Sequence, residues 1–236
     1  MTFSMKRVIA IFQKDMKDLY KNMYVSTTIL MPLIFAFFYS RMENITVEVH
    51  FLVINLTLSL VTAFLQCSII AEEKEKNTLR GLMLSPATIP EILGGKSLVT
   101  FILSAITIIL CTMIMGYEPA NIGIIVIAIV ISSLFYIALG TLMGLVSRTV
   151  IEASVLILPV MFIFGFGSMF QALVEEYPIL SVIDYLPNIQ LIELANAVEA
   201  GSGFGDVLGN LGIIVAWVIA GIVATVIVFK KRELDE

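Results

Sequence analysis

The side chains of this chain that could carry out chemistry do not combine into a catalytic motif. Gly94-Gly95-Lys96-Ser97 has the ending of a phosphate-binding loop, but Pro90 occupies the position of the first glycine that such a loop needs. His50 is the one histidine of the sequence, so the two-histidine helix motif of a zinc protease is missing. We therefore expect no nucleotide site, no metal site and no catalytic residue in this chain.

A stripe of neutral polar residues is the first candidate for another kind of site. Asn55, Ser59, Thr62 and Gln66 follow one another at steps of four, three and four, which places them on one face of a helix. The stripe either lines the path of a substrate or forms hydrogen bonds between helices, each worth about 0.6 kcal/mol in a membrane protein. The sequence leaves both interpretations open.

An aromatic and methionine surface is the second candidate. Phe162, Phe166, Met169 and Phe170 recur at helical spacing. Such side chains adapt to apolar ligands, although lipid-facing and packing surfaces of a helical bundle have the same composition. We take the stripe and this surface together as the candidate path for a substrate.

Both candidates lie within long apolar segments. Hydrophobic residues make up 59% of the 236 residues, and the mean hydropathy is +1.01, well above that of a soluble domain. A bilayer core of about 30 Å needs about 20 apolar residues of helix. Six segments meet this need: 23–40, 51–71, 97–115, 122–146, 153–172 and 207–229. The sequence predicts an all-α polytopic membrane protein with six transmembrane helices, forming a single domain over residues 1–236.

The basic residues predict the orientation of this domain. Of the 14 Lys and Arg residues, only Arg41 falls on the side opposite to all the others. Positively charged loops stay in the cytoplasm, so we expect both termini there, in the plasma (inner) membrane. The segment 172–206, which contains no basic residue, is then extracellular.

Residues 1–22 predict an amphipathic helix. Val8, Phe12, Met16 and Leu19 recur at steps of four, four and three, while lysines occupy the opposite face. A helix of this kind lies in the membrane interface with its lysines toward the lipid headgroups. Membrane lipids are therefore expected partners, and a soluble basic tail is the weaker alternative because it has no need of the periodicity.

The charged segment 72–96, between the second and third apolar segments, predicts an ordered helical element on the surface of the protein. Thr78 can cap a short helix carrying Leu79 and Leu82 on one side. Ser85-Pro86 ends that helix, because the residue before a proline avoids the helical conformation.

A second helix start follows immediately. Thr88 and Glu91 have the spacing of a capping box, with Pro90 in the first turn where proline is tolerated. Two helices that meet at a sharp corner predict a rigid knob on the cytoplasmic surface, to which a partner protein could bind.

The same segment resembles the signature of type-2 ABC exporter permeases. The resemblance is carried by the run Glu73-Lys-Glu75-Lys-Asn-Thr78-Leu79-x-x-Leu82-x-x-Ser85-Pro86, followed by Glu91-Ile-Leu-x-Gly95-Lys96. It extends over most of the chain, through the amphipathic N-terminal helix, the six spans and the proline-interrupted segment 172–206. For that last segment the resemblance implies short re-entrant helices on the extracellular side.

The resemblance also implies a function. In that family the segment between the second and third spans docks on a separate ATP-binding subunit, which holds ATP and Mg and passes its closing motion to the membrane helices. The residues expected to contact the ATPase subunit are Glu73, Glu75, Thr78, Leu79, Leu82, Ser85 and Pro86. Two permease chains, identical or related, would form the path as a dimer and export an amphipathic substrate such as a peptide or drug. The chain itself would need no cofactor and bind no nucleic acid.

Two other classes of protein stay open at this stage. A channel would conduct along the polar stripe without ATP, and a sensory membrane module would recruit a non-ATPase partner through the same cytoplasmic corner. An ion-coupled carrier is disfavoured, because such carriers keep ionisable side chains at membrane depth and the interiors of the six segments have none.

Overall fold

The computed structural model describes residues 3–20, 23–76, 78, 87–170 and 178–235. In these residues the regular structure is helical, which confirms the all-α fold class. The α-helices are α1 (Met5–Tyr20), α2 (Met23–Tyr39), α3 (Val47–Thr57), α4 (Leu65–Glu75), α5 (Ile89–Met115), α6 (Ile122–Val146), α7 (Val150–Gly165), α8 (Pro187–Glu199) and α9 (Leu208–Asp235). A π-helical stretch, Leu58–Phe64, joins α3 to α4, and a 3-10 helix, Pro178–Tyr185, precedes α8.

Four helices of the described residues are long and apolar enough to cross a membrane. They are Val47–Glu75, Pro90–Met115, Ile122–Val146 and Leu208–Phe229. Two shorter apolar helices, Thr27–Tyr39 and Val150–Gly165, fall at the first and fifth predicted segments. Within the described residues, each of the six segments is therefore largely helical, while the count of six spans stays a prediction.

The fifth segment differs most from its predicted bounds, 153–172. Helix α7 ends at Gly165 because Phe166 leaves the helical conformation, with φ −111° and ψ 16°. Residues 167–170 are helical again. Gly165 and Gly167 flank the break, and glycine is a poor helix former.

The helix Val47–Glu75 is the centre of the bundle. In its most apolar window, 94% of the residues are buried, because α5, α6, α7 and α8 pack around it. Helix α6 approaches it closely through two glycines. A Cβ atom on Gly140 would lie 2.3 Å from the Ala63 carbonyl oxygen, and one on Gly144 would lie 2.7 Å from the Cys67 carbonyl oxygen. The small-residue pair of the fourth segment thus serves close helix packing.

Helix α1 packs on protein with its apolar face. Leu19 forms a buried cluster with Leu65, Ile69 and Val99 of α4 and α5, and Phe12 and Met16 pack against this cluster. The amphipathic helix predicted for residues 1–22 is present, and its apolar side covers the same ends of α4 and α5 that flank the charged segment. Its placement in the membrane interface stays a prediction.

The segment before the last helix is packed into the bundle. Leu191, Leu194 and Ala195 of α8 have no exposed surface and belong to the main core. Trp217 of α9 donates a hydrogen bond of 2.8 Å from its indole nitrogen to the Tyr185 carbonyl oxygen. Residues 178–199 therefore form two short helices that pack against the bundle, while their re-entrant placement on the extracellular side stays a prediction.

Candidate functional site

The candidate site is the place where α4 ends and α5 begins, which we call the corner (residues 72–76, 78 and 88–96). Glu73 and Glu75 lie on the last turn of α4, and Thr78 follows directly. The predicted contact residues Leu79, Leu82, Ser85 and Pro86 lie outside the described residues, so their role stays a prediction. The capping box at the start of α5 is confirmed, with Thr88 and Glu91 each accepting from the other's backbone N–H.

A buried charge cluster joins three helices at the corner. The side chain of Lys96 in α5 has no exposed surface, and its Nζ lies 2.9 Å from Asp15 Oδ2 of α1 and 2.8 Å from Glu73 Oε1 of α4. Lys14, which is half exposed, places its Nζ 2.7 Å from the same Glu73 oxygen. A buried charge is costly unless it is paired. The pairing therefore fixes α1, α4 and α5 relative to one another.

Hydrogen bonds and burial set the charge state of this cluster. The Thr78 hydroxyl donates to Glu73 Oε2, the oxygen that the lysines leave free. Burial raises the pKa of Asp15, and the positive charges of Lys96 and Lys14 oppose that rise. Burial lowers the pKa of Lys14, but the hydrogen bond and charge of Glu73 together with the charges of Asp15 and Asp18 outweigh it, so the pKa of Lys14 is raised. Each carboxylate thus depends on a neighbouring ammonium group.

A second set of contacts holds α1 along the start of α5. Glu91 accepts from the Ser4 backbone N–H at 2.5 Å, and Arg7 Nη1 lies 3.4 Å from its other oxygen. A Cβ atom on Gly95 would lie 2.9 Å from both the Ile11 side chain and the Val8 carbonyl oxygen. The Gly-Gly-Lys-Ser run is therefore part of a regular helix and serves close packing and ion pairing.

Lys74 and Glu75, the two residues that follow Glu73 in α4, contact a different part of the bundle. Lys74 Nζ donates to the Leu145 carbonyl oxygen at 2.6 Å and also to the Ser147 carbonyl oxygen. Glu75 Oε2 accepts from the Val150 backbone N–H at 2.8 Å. The end of α4 is thus bound both to α1 and α5 and to the connection between α6 and α7.

The polar stripe lies inside the bundle. Gln66 Nε2 donates to the Thr141 hydroxyl at 3.0 Å, and its Oε1 accepts from the Thr100 hydroxyl at 2.6 Å. Asn55 Nδ2 donates to the Asn188 carbonyl oxygen of α8 at 3.2 Å. Both ends of the stripe therefore hydrogen-bond other helices. Ser59 and Thr62 between them are buried and lie in the π-helical stretch, a feature that often marks functional sites.

The aromatic and methionine surface has different surroundings. Phe162 and Met169 are each 58% exposed, and Phe170 is 36% exposed. Phe166 is partly buried and packs against the cluster of Leu56, Leu60 and Val61. The two halves of the candidate path thus differ, since the stripe is enclosed by one chain and most of the aromatic surface faces outward. Their part in a path stays a prediction.

Asp15 and Lys74 are residues of the corner's contacts that the sequence interpretation did not single out, and Lys96 entered it only as part of the family signature. One signal was available for Asp15, since it lies between Phe12 and Leu19 on the apolar face of α1. A carboxylate on a buried face requires a cationic partner. For Lys96 the family signature marked the position, but nothing in the sequence indicated that its partners are Asp15 and Glu73.

Fold and site define a class of protein: a multi-pass helical membrane protein with a buried cluster of charged side chains beside the segment that joins α4 to α5. The chain belongs to the ABC-2 family of transporter proteins, whose sequence profile matches residues 13–227. A search of curated proteins found no match. Members of this family are permeases, the membrane components of ABC transporters, and are not themselves catalytic. Membership implies association with an ABC ATP-binding subunit, and it confirms the resemblance seen in the sequence.

Proposed function

We propose that this chain is the membrane-spanning permease subunit of an ATP-driven exporter, and that two permease chains form the translocation path as a dimer. The family match over residues 13–227 carries the proposal. Energy comes from a separate ATPase subunit, which holds ATP and Mg. The exported substrates are amphipathic molecules such as peptides or drugs.

Six helices span the membrane in this proposal. The two short helices, α2 with 17 residues and α7 with 16, have lengths of about 26 and 24 Å at 1.5 Å per residue, at the lower limit for a span. Both termini lie on the cytoplasmic side of the plasma (inner) membrane, and the 3-10 helix and α8 enter the bundle from the extracellular side. The corner then lies on the cytoplasmic surface, where an ATPase subunit can reach it.

The ATPase subunit docks on the segment between α4 and α5. The buried cluster supports this assignment, because Lys96 joins the helices before and after the segment through Glu73, and joins both to α1 through Asp15. A displacement of the segment is therefore passed to three helices together. Glu73 contributes mainly by this internal pairing, while Leu79, Leu82, Ser85 and Pro86 supply the docking surface.

The substrate path follows from the same assignment. The outward face of α7, with Ile151 79%, Val155 62% and Phe162 58% exposed, is apolar and lies against lipid or a second copy. A second copy placed there encloses an aromatic surface between the two chains. Such a surface suits the apolar side of an amphipathic substrate, and the polar stripe lies behind it in each chain.

Affinity purification of the tagged full chain from gently solubilised native membranes tests the proposal, with mass spectrometry and an ATPase assay on the purified material. We expect an ATP-binding cassette subunit at comparable abundance. It should be lost in Leu79→Ser/Leu82→Ser and retained in the control Ile122→Ser, whose side chain is 68% exposed at the far end of the bundle. Recovery of the chain alone, or substrate flux without ATP, would point to a channel. A stable non-ATPase partner would point to a sensory module.

A further inference from the structure

Lys74 and Glu75 are consecutive residues of opposite charge, and they bind opposite helix ends. Lys74 Nζ donates to the carbonyl oxygens of Leu145 and Ser147, where α6 ends. Glu75 Oε2 lies 2.8 Å from the backbone nitrogen of Val150, the first residue of α7. We call this pair of contacts the latch.

The charges of the latch match the helix ends that they bind. The last carbonyl groups of a helix have no partner within it and carry partial negative charge, whereas its first N–H groups carry partial positive charge. Thr149 caps α7 in part, because its hydroxyl accepts from the Glu152 backbone N–H at 3.1 Å. Glu75 accepts from the Val150 N–H, a group that this cap does not use.

Next to the latch, α4 packs closely against both α6 and α7. Gly144 of α6 approaches Cys67 and Ile70 of α4 so closely that a Cβ atom would lie 2.7 Å from each. Ala71 of α4 and Ala153 of α7 have no exposed surface. The connection between α6 and α7 is only residues 147–149, so it limits how far the two helix ends can move apart.

We propose that the latch carries movement of the segment between α4 and α5 to α7, so that docking of the ATPase subunit shifts the outward face of α7, which carries Phe162. Glu75 is then a positioning residue that binds α7, in place of the direct ATPase contact predicted from sequence. This inference rests on the proposed function, since it needs an ATPase subunit that moves the corner.

Amide hydrogen exchange on the full chain in detergent micelles tests the latch without any partner. Glu75→Ala removes the acceptor oxygen, and we expect the peptide covering residues 146–151 to exchange at least about fivefold faster, the lower end of typical coupling between sites. Glu75→Gln keeps an acceptor oxygen and loses the charge, so it should retain most of the protection. Unchanged exchange in Glu75→Ala would overturn the latch.

Transport and ATP hydrolysis by the complex with its ATPase subunit then test the relay. In Glu75→Ala we expect the ATPase subunit to stay bound and hydrolysis to remain within about twofold, while substrate exported per ATP falls at least about fivefold. Glu75→Gln should keep more than about half of the wild-type ratio, which a charge-dependent docking contact would not.

The two proposals fail in different ways. If Glu75→Ala and Glu75→Gln both release the ATPase subunit, Glu75 is a docking contact and the relay is wrong, although the proposed function stands. If the wild-type chain binds no ATPase subunit, the proposed function and the relay both fall, and the exchange result still decides whether the latch holds α7.

Discussion

Lys96 Nζ and Asp15 Oδ2 lie 2.9 Å apart, although 81 positions separate the two residues in the chain. Neither side chain is appreciably exposed, at 0% and 5% respectively. The pair binds the amphipathic helix α1 to the helix that follows the charged segment. Helix α1 is therefore a structural part of the corner, and a force applied to the segment between α4 and α5 also acts on α1.

Removing the cation of this cluster should destabilise the protein strongly. Lys96→Met leaves the buried carboxylates of Asp15 and Glu73 with the half-exposed Lys14, 3.7 and 2.7 Å away, as their cationic neighbour. Breaking a buried pair costs about 3–5 kcal/mol when the other charge is left unpaired, so this range is the upper limit of the expected loss. Thermal unfolding of the purified chain in detergent measures the loss. Lys17→Met, at an exposed position of α1, is the control and should change stability by less than about 0.5 kcal/mol. Equal unfolding temperatures for the two variants would show that the cluster contributes nothing.

Alanine substitutions at two adjacent glycines of α5 should change the free energy of unfolding in opposite directions. A Cβ atom on Gly95 would lie 2.9 Å from Ile11 and from the Val8 carbonyl oxygen, whereas one on Gly94 meets nothing within 4 Å. Gly95→Ala forces α1 away from α5 and should cost about 1–3 kcal/mol. Gly94→Ala should stabilise the helix by about 0.5–1 kcal/mol. The same unfolding measurement compares them, and a shift of equal sign in both would contradict the close approach of α1.

Gln66→Leu tests whether the polar stripe stabilises the bundle. The substitution leaves the buried hydroxyls of Thr100 and Thr141 without the amide that they contact at 2.6 and 3.0 Å. Both hydroxyls keep a hydrogen bond within their own helices, so we expect a loss of about 1 kcal/mol in the free energy of unfolding, from two interhelical hydrogen bonds worth about 0.6 kcal/mol each. Thr107→Val is the control, because its hydroxyl donates to the Leu103 carbonyl oxygen of its own helix, and it should cost less. A Gln66→Leu chain with wild-type stability and altered transport would favour the substrate-path interpretation.

The positions of the helices were predictable from the sequence because hydropathy is a local property. Within the described residues, all six apolar segments are largely helical, and Thr88 and Glu91 form the capping box that their spacing indicated. The break of α7 at Phe166 was not predicted, since the fifth segment stays apolar through it. Gly165 and Gly167 beside that residue were the only local indication.

The roles of charged residues at the corner were less predictable because their partners are distant in sequence. Lys96 binds residues 81 and 23 positions away, and no periodicity reports such a pairing. Glu73 and Glu75 have similar sequence surroundings, yet Glu73 turns toward α1 and α5 while Glu75 reaches α7. Which helices each glutamate contacts depends on the tertiary packing, which the local sequence does not reveal.

Cysteine cross-linking tests whether the outward face of α7 meets a second copy. Residues near a two-fold axis lie close to the same residue of the partner chain, so Phe162→Cys should cross-link chain to chain in native membranes with a short bifunctional thiol reagent. Ile219→Cys on α9, which is 57% exposed, is the matched control and should stay monomeric. The native Cys67 and Cys111 have no exposed surface and should not react. Cross-linking through Ile219→Cys but not Phe162→Cys would place the dimer contact on α9 and remove the aromatic surface from the proposed path.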